Sequence, residues 1–201
     1  MLDIGCWDGA ILEGLPEIWN RTGIEINSAA AEQARNKGLN VIESQFENAT
    51  LESEYYDIVI ILDVLEHVLE PNAVLNKISN VLKKNGYIIA LTGSADCFSS
   101  KIFRQNWYYC NYEEHINFFT KKSLSIALSV NGFGDCLIQS ITHPTSSLYK
   151  SAIKVINRTI GNNKQKDTAM QITHNQRFKF SIVLSRIFRG KDHYLIIARK
   201  G

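Results

Sequence analysis

The sequence predicts an α/β fold in which a largely parallel sheet carries helices on both faces, and three features carry that expectation. Short apolar runs alternate with stretches of helical period along most of the chain. Ile58 to Leu62 is continuously apolar, as a strand covered on both faces must be. Residues 2–9 read as a strand end that passes through a glycine-bracketed turn into a helix.

Taken in order, the first strand covers residues 1–4 and the first helix about 9–18. Between them, in Leu2-Asp3-Ile4-Gly5-Cys6-Trp7-Asp8-Gly9, Gly5 and Gly9 can take dihedrals that a side chain would forbid. Asp3 is an acceptor at the strand's carboxyl end, and the helix start offers unpaired N–H groups. The spacing is Gly-x-x-x-Gly, not the Gly-x-Gly-x-x-Gly of dinucleotide-binding turns. A second strand, 22–26, brings in Glu25, twenty positions after Gly5, where a doubly wound fold places the carboxylate that grips a ribose diol. Helix 28–37 and strand 39–43 follow, then strand 55–62.

Helix 71–83 has Pro71 in its first turn, where a missing N–H costs nothing, and Gly86 after Lys83-Lys84-Asn85 as its stop. Strand 86–92 comes next. Thr120 starts a helix to Val130 whose Leu124, Ala127 and Leu128 share one stripe. Strands 137–142 and 193–199 bring the total to seven.

A chain of 201 residues with 45% hydrophobic content supports one good core. It has no apolar stretch of eighteen residues and no secretory leader pattern, so the expected location is cytoplasmic. Cys6, Cys97, Cys110 and Cys136 show neither zinc spacing nor a paired framework and read as reduced thiols.

These motifs resemble the class I S-adenosylmethionine-dependent methyltransferases, within them the small-molecule group related to ubiquinone-pathway O-methyltransferases. The carriers are residues 2–9, Gly23-Ile24-Glu25-Ile26, the run from Tyr56 to Val68, Leu82 to Tyr87, and Glu114-His115-Ile116-Asn117-Phe118-Phe119. The resemblance implies a Rossmann-like, seven-stranded, mostly parallel sheet whose last strand is antiparallel. It also implies methyl transfer from S-adenosylmethionine, with O-methylation of a small metabolite or saccharide as the leading reaction. For the cofactor it implies Asp3, Gly5, Cys6, Trp7 and Gly9 around the methionyl moiety and Glu25 on the ribose. Ile26, Gln45 and Phe46 fall near adenine, and Leu62 and Asp63 beside the cofactor. Trp7 stands where the family usually has its middle glycine. Related enzymes usually have a helix before the first strand, so the domain over 1–201 reads as N-terminally short.

Methyl transfer from a sulfonium needs alignment and exclusion of water more than covalent help. Glu66 and His67, just past a strand end, form a candidate base pair, or else a helix-start cluster. His115 follows the aromatic run Trp107 to Tyr112, where the family builds its acceptor pocket, and is a candidate base or substrate contact. Asp63, Glu66, His67 and His115 also resemble the metal-binding set of small-RNA 3′-terminal methyltransferases. A metal-assisted RNA methyltransferase is therefore one alternative, favoured if these four converge on an ion. An inactive methyltransferase-like binding subunit is the other, favoured if Trp7 fills the cofactor hollow or the late start leaves it open.

Residues 146–191 read as a basic helical insertion between the last two strands. From Leu148 to Lys191 there are ten Lys or Arg against one acid, Asp167. Its amphipathic pattern leaves open contact with an anionic membrane through 148–191, phosphate or nucleic-acid binding, and a solvated packing surface.

Overall fold

In a computed structural model, described for residues 1–111, 113–142 and 191–201, seven strands form one sheet in the order β3-β2-β1-β4-β5-β7-β6. They are β1 (Leu2–Ile4), β2 (Thr22–Glu25), β3 (Asn40–Glu43), β4 (Tyr56–Leu62), β5 (Leu82–Gly93), β6 (Phe133–Ile141) and β7 (His193–Lys200). β7 lies antiparallel between β5 and β6, and the neighbouring pairs from β3 to β5 are parallel. The basic insertion lies outside the described residues.

Side chains alternate across the sheet, so each face nucleates its own core. Ile58, Ile60, Ile89 and Ile197 face Leu12 of α1 (Ala10–Glu13) and Ala31 and Ala34 of α2 (Ser28–Asn36). Val59, Ile61, Ile88 and Ile196 face Val74 and Ile78 of α3 (Pro71–Val81) and Leu124 and Leu128 of α5 (Lys121–Val130). Thr120 caps α5: its Oγ1 accepts the Ser123 N–H at 3.0 Å, and Ser123 Oγ accepts the Thr120 N–H at 2.9 Å. No helix among the described residues is long and apolar enough to cross a membrane.

Three elements differ from expectation. The helix expected over 9–18 is one turn, because Gly14 follows it and the Pro16 ring, lacking an N–H, cannot continue the ladder. The helix expected to reach 83 ends at Val81, and Leu82 pairs with Tyr56 to open a long strand, with a register shift before Ile58 pairs Tyr87. Gly86 is therefore a strand residue, not a helix stop. A Cβ there would lie 2.9 Å from the Lys83 carbonyl oxygen and 3.1 Å from that of Asp57. The sixth strand starts at Phe133, ahead of the expected 137, and is irregular between Gly134 and Leu137. A short helix not expected from the sequence, α4 (Phe98–Phe103), leaves Phe98, Ile102 and Phe103 exposed.

Candidate active site

The strand order reverses between β1 and β4, so the crevice beyond their carboxyl ends is where an open α/β sheet takes a ligand. The glycine turn closes one side of it. The N–H groups of Gly5 and Cys6 both donate to the Ile24 carbonyl, at 2.8 and 3.0 Å, which lays the turn over the end of β2. Gly5 has φ 73°, and a Cβ there would stand 2.7 Å from Val64 Cγ2. Gly9 has φ 76°, and its Cβ would stand 2.3 Å from Leu39 Cδ1 and 3.0 Å from Ala34 Cβ, so both positions require glycine. Lys37 steadies the turn from outside, donating to the Asp8 carbonyl at 2.8 Å and to its carboxylate at 2.9 Å. That ammonium holds the Asp8 carboxyl below the usual range.

Glu25 fastens the turn to the next helix. Its Oε2 accepts the Trp7 N–H at 2.9 Å and its Oε1 the Asn27 N–H at 2.8 Å, with the residue only 6% exposed. Trp7 adopts a left-handed φ of 49°, the conformation of the glycine it replaces, and its side chain is 61% exposed.

Asp3 lies behind the turn, 1% exposed, and its Oδ2 has no hydrogen-bond partner among the described residues. Burial, then the Glu25 charge, raise its carboxyl to about 8. Burial, with Asp3 and Glu25 beside it, also pushes the Cys6 thiol up to about 12, so Cys6 packs and does not react. Ile26 is exposed next to Glu25, and Leu62 and Asp63 sit half-buried at the end of β4. Gln45 is exposed and accepts from Asn48 at 3.1 Å. The Phe46 ring is in the core under Lys77, 5.1 Å from its Nζ, which leaves only its backbone for a ligand.

A second constellation gathers past the carboxyl end of β4. Glu66, 1% exposed, accepts from Tyr109 Oη at 2.5 Å and from Thr92 Oγ1 at 2.9 Å. Tyr109 Oη in turn accepts the Gly93 N–H at 2.9 Å. A Cβ on Gly93 would fall 2.3 Å from the Tyr109 ring, so glycine makes the space for the phenol. Burial, then Glu66, drive the Tyr109 hydroxyl far above its ordinary range, so it remains a donor and is no base.

The two histidines complete the group. The His67 Nδ1 hydrogen bonds the Glu114 carbonyl at 2.9 Å, and the His115 Nδ1 that of Tyr109 at 2.9 Å. A carbonyl can only accept, so in each ring Nδ1 is the donor. The rings are 4.7 Å apart, and Tyr109 lies 4.0 Å from His115. Ligand atoms of Glu66, His67 and His115 all lie within 4.8 Å of one another. Asp63 is outside that trio.

The structure thus brings Glu66, His67 and His115 together, and separately Asp3, Gly5, Trp7 and Glu25. It adds Thr92 and Gly93, to which sequence reasoning gave no role, and makes Tyr109, a member of the aromatic run expected to line the acceptor pocket, a partner of Glu66. The one available signal was a glycine closing a buried strand, Gly93, ahead of an aromatic run.

A family model described as a methyltransferase domain matches residues 1–135. An uncharacterised protein of Methanocaldococcus jannaschii is 26% identical over 113 residues, 56% of this chain and 55% of that protein. The ubiquinone biosynthesis O-methyltransferase of Photobacterium profundum is 31% identical over 100 residues, 46% of this chain and 43% of that enzyme. The chain thus spans about half the length of the curated relatives it matches. Among solved structures, a methyltransferase dependent on S-adenosylmethionine from Archaeoglobus fulgidus superposes with TM-score 0.65 at 22% identity. That match covers 99% of this chain and 85% of the other.

Proposed function

Because the chain belongs to this methyltransferase-domain family, of the class I S-adenosylmethionine-dependent type, we propose that it methylates an oxygen of a small metabolite or saccharide. The supporting observation is the fastening of the glycine turn by Glu25 at the end of β2, together with His67 just past the end of β4 and His115 packed ring to ring with it.

The residues fit S-adenosylmethionine. Glu25 spends one lone pair of each oxygen on a backbone amide and keeps the others for ribose hydroxyls. Asp3 Oδ2 is buried without a partner among the described residues, an acceptor that an ammonium group would satisfy. Exposed Ile26 supplies an apolar surface for the base. The cofactor, when bound, supplies an electrophilic methyl group. Gly5, Trp7 and Glu25 would orient it, and His115 or His67 would act as the base toward the acceptor hydroxyl. Glu66, engaged by two hydroxyls, positions the Tyr109 segment that carries His115.

Calorimetry with S-adenosylmethionine tests the reading. Glu25→Ala should weaken binding at least about tenfold, since it removes charge-assisted bonds worth about 1.5–3 kcal/mol. Wild-type protein that binds neither S-adenosylmethionine nor S-adenosylhomocysteine would overturn it.

The proximity of Glu66, His67 and His115 favours a second reading, metal-assisted transfer to a hydroxyl, RNA termini included. A carboxylate and two imidazoles suit manganese or a similar divalent ion. Manganese should then raise the Tm of wild type but not of His115→Ala, and an equal response of both would refute it.

A further inference from the structure

We propose that Asp3 is protonated in the free protein and surrenders that proton when the cofactor's ammonium group reaches it, so that cofactor binding releases a proton to solvent. This rests on the S-adenosylmethionine reading above and adds a linkage to it.

The geometry carries the inference. Asp3 is almost wholly removed from water, and no hydrogen bond satisfies its Oδ2 among the described residues. A carboxylate in that state would lose its hydration and gain nothing, which a protein avoids by neutralising the group. Its neighbours make ionisation worse. In β2, which pairs Asp3 with Gly23, the ionisable residue is Glu25. In the turn they are the Cys6 thiol and Asp8, the latter already engaged by Lys37. In β4, which pairs Asp3 with Ile60, the next ionisable residue is Asp63, three positions on. Lys37 also faces Glu13, so the nearby cation is spent on surface carboxylates.

Glu25 accepts two N–H bonds, whereas the buried Asp3 Oδ2 accepts none among the described residues, so of the two neighbouring carboxyls Asp3 is the one that holds the proton. The elevated Asp3 value of about 8 agrees. An ammonium group arriving at this oxygen reverses the balance, because it brings both the opposite charge and the missing donors. The O–H bond of Asp3 breaks, its electron pair stays on the carboxylate, and the proton goes to buffer. The ligand keeps its own three protons.

The test is calorimetric titration at pH 6.5 in buffers of differing ionisation enthalpy, with S-adenosylhomocysteine and with 5′-methylthioadenosine, which lacks the amino acid end. Wild type should release close to one proton per S-adenosylhomocysteine and none with methylthioadenosine. Its affinity for S-adenosylhomocysteine should rise roughly tenfold from pH 5.5 to 6.5. In Asp3→Asn the release should vanish. Binding of S-adenosylhomocysteine with no proton released, or with equal release by methylthioadenosine, would overturn the linkage and leave the cofactor reading intact. Failure of both ligands to bind would overturn the two together.

Discussion

Tyr109→Phe removes one oxygen and tests the constellation past the end of β4. That oxygen donates to the buried Glu66 carboxylate and accepts the buried Gly93 N–H. The ring itself remains packed against Trp107, 4.9 Å away, so no cavity opens beyond the hydroxyl. Losing a hydrogen bond to a charged group costs about 1.5–3 kcal/mol, and leaving a buried N–H unpaired costs about 1–3 kcal/mol. Partial relaxation makes the sum smaller than the two maxima, and we expect about 3 kcal/mol. For a chain of this size each kcal/mol moves the Tm by about 2–4 °C, which gives a fall of about 6–12 °C. Because the phenol stays protonated throughout the ordinary pH range, the loss should be the same at pH 6 and pH 9. Urea unfolding with a shared m-value, read beside thermal melts, is the assay. A loss below about 1 kcal/mol would show that Glu66 does not depend on this bond.

Asp3→Asn should stabilise the ligand-free protein as pH rises. The folded carboxyl is raised to about 8 against an ordinary 3.8, so the penalty is absent below the ordinary value, grows between pH 4 and 8 as the unfolded chain ionises, and is then constant. At pH 7 the amide should recover about 2–4 kcal/mol. A variant that melts lower than wild type at pH 7 and no higher relative to it than at pH 4 would refute this. Trp7→Gly trades a left-handed, exposed indole for the residue suited to that dihedral, and removes about 1 kcal/mol of strain. Its Tm should stay within about 2 °C of wild type or rise, and a fall of more than about 5 °C would show that the indole packs against something.

Where the chain obeys local rules, its sequence announced the outcome. Ile58 to Leu62 is a central strand, Thr120 caps its helix, and Gly5, Gly9 and Glu25 meet around one turn. What was hidden depends on distant partners. Leu82 to Asn85 resembles a helix end until Tyr56 pairs with Leu82 and draws it into the sheet. α4 buries none of its own residues, so no apolar stripe betrays it. Glu66 reads locally as a helix-start carboxylate, while the hydroxyls that define its state lie at positions 92 and 109. The early end of α1 is legible in Gly14 and Pro16, where proline chemistry overrides the apolar period that runs on to residue 18.

The stretch between Ser94 and Phe119 is secured at both borders. A bridge joins those two residues, the Ala95 N–H reaches the Phe119 carbonyl at 2.8 Å, and Asp96 takes bonds from the Tyr194 hydroxyl and the Lys121 N–H. Once such borders are set, doubling the length of chain between them adds only about 0.6 kcal/mol of closure entropy. Changes in the length of chain between these borders therefore cost the sheet little, so long as the anchoring of Tyr109 on Glu66 and Gly93 is kept.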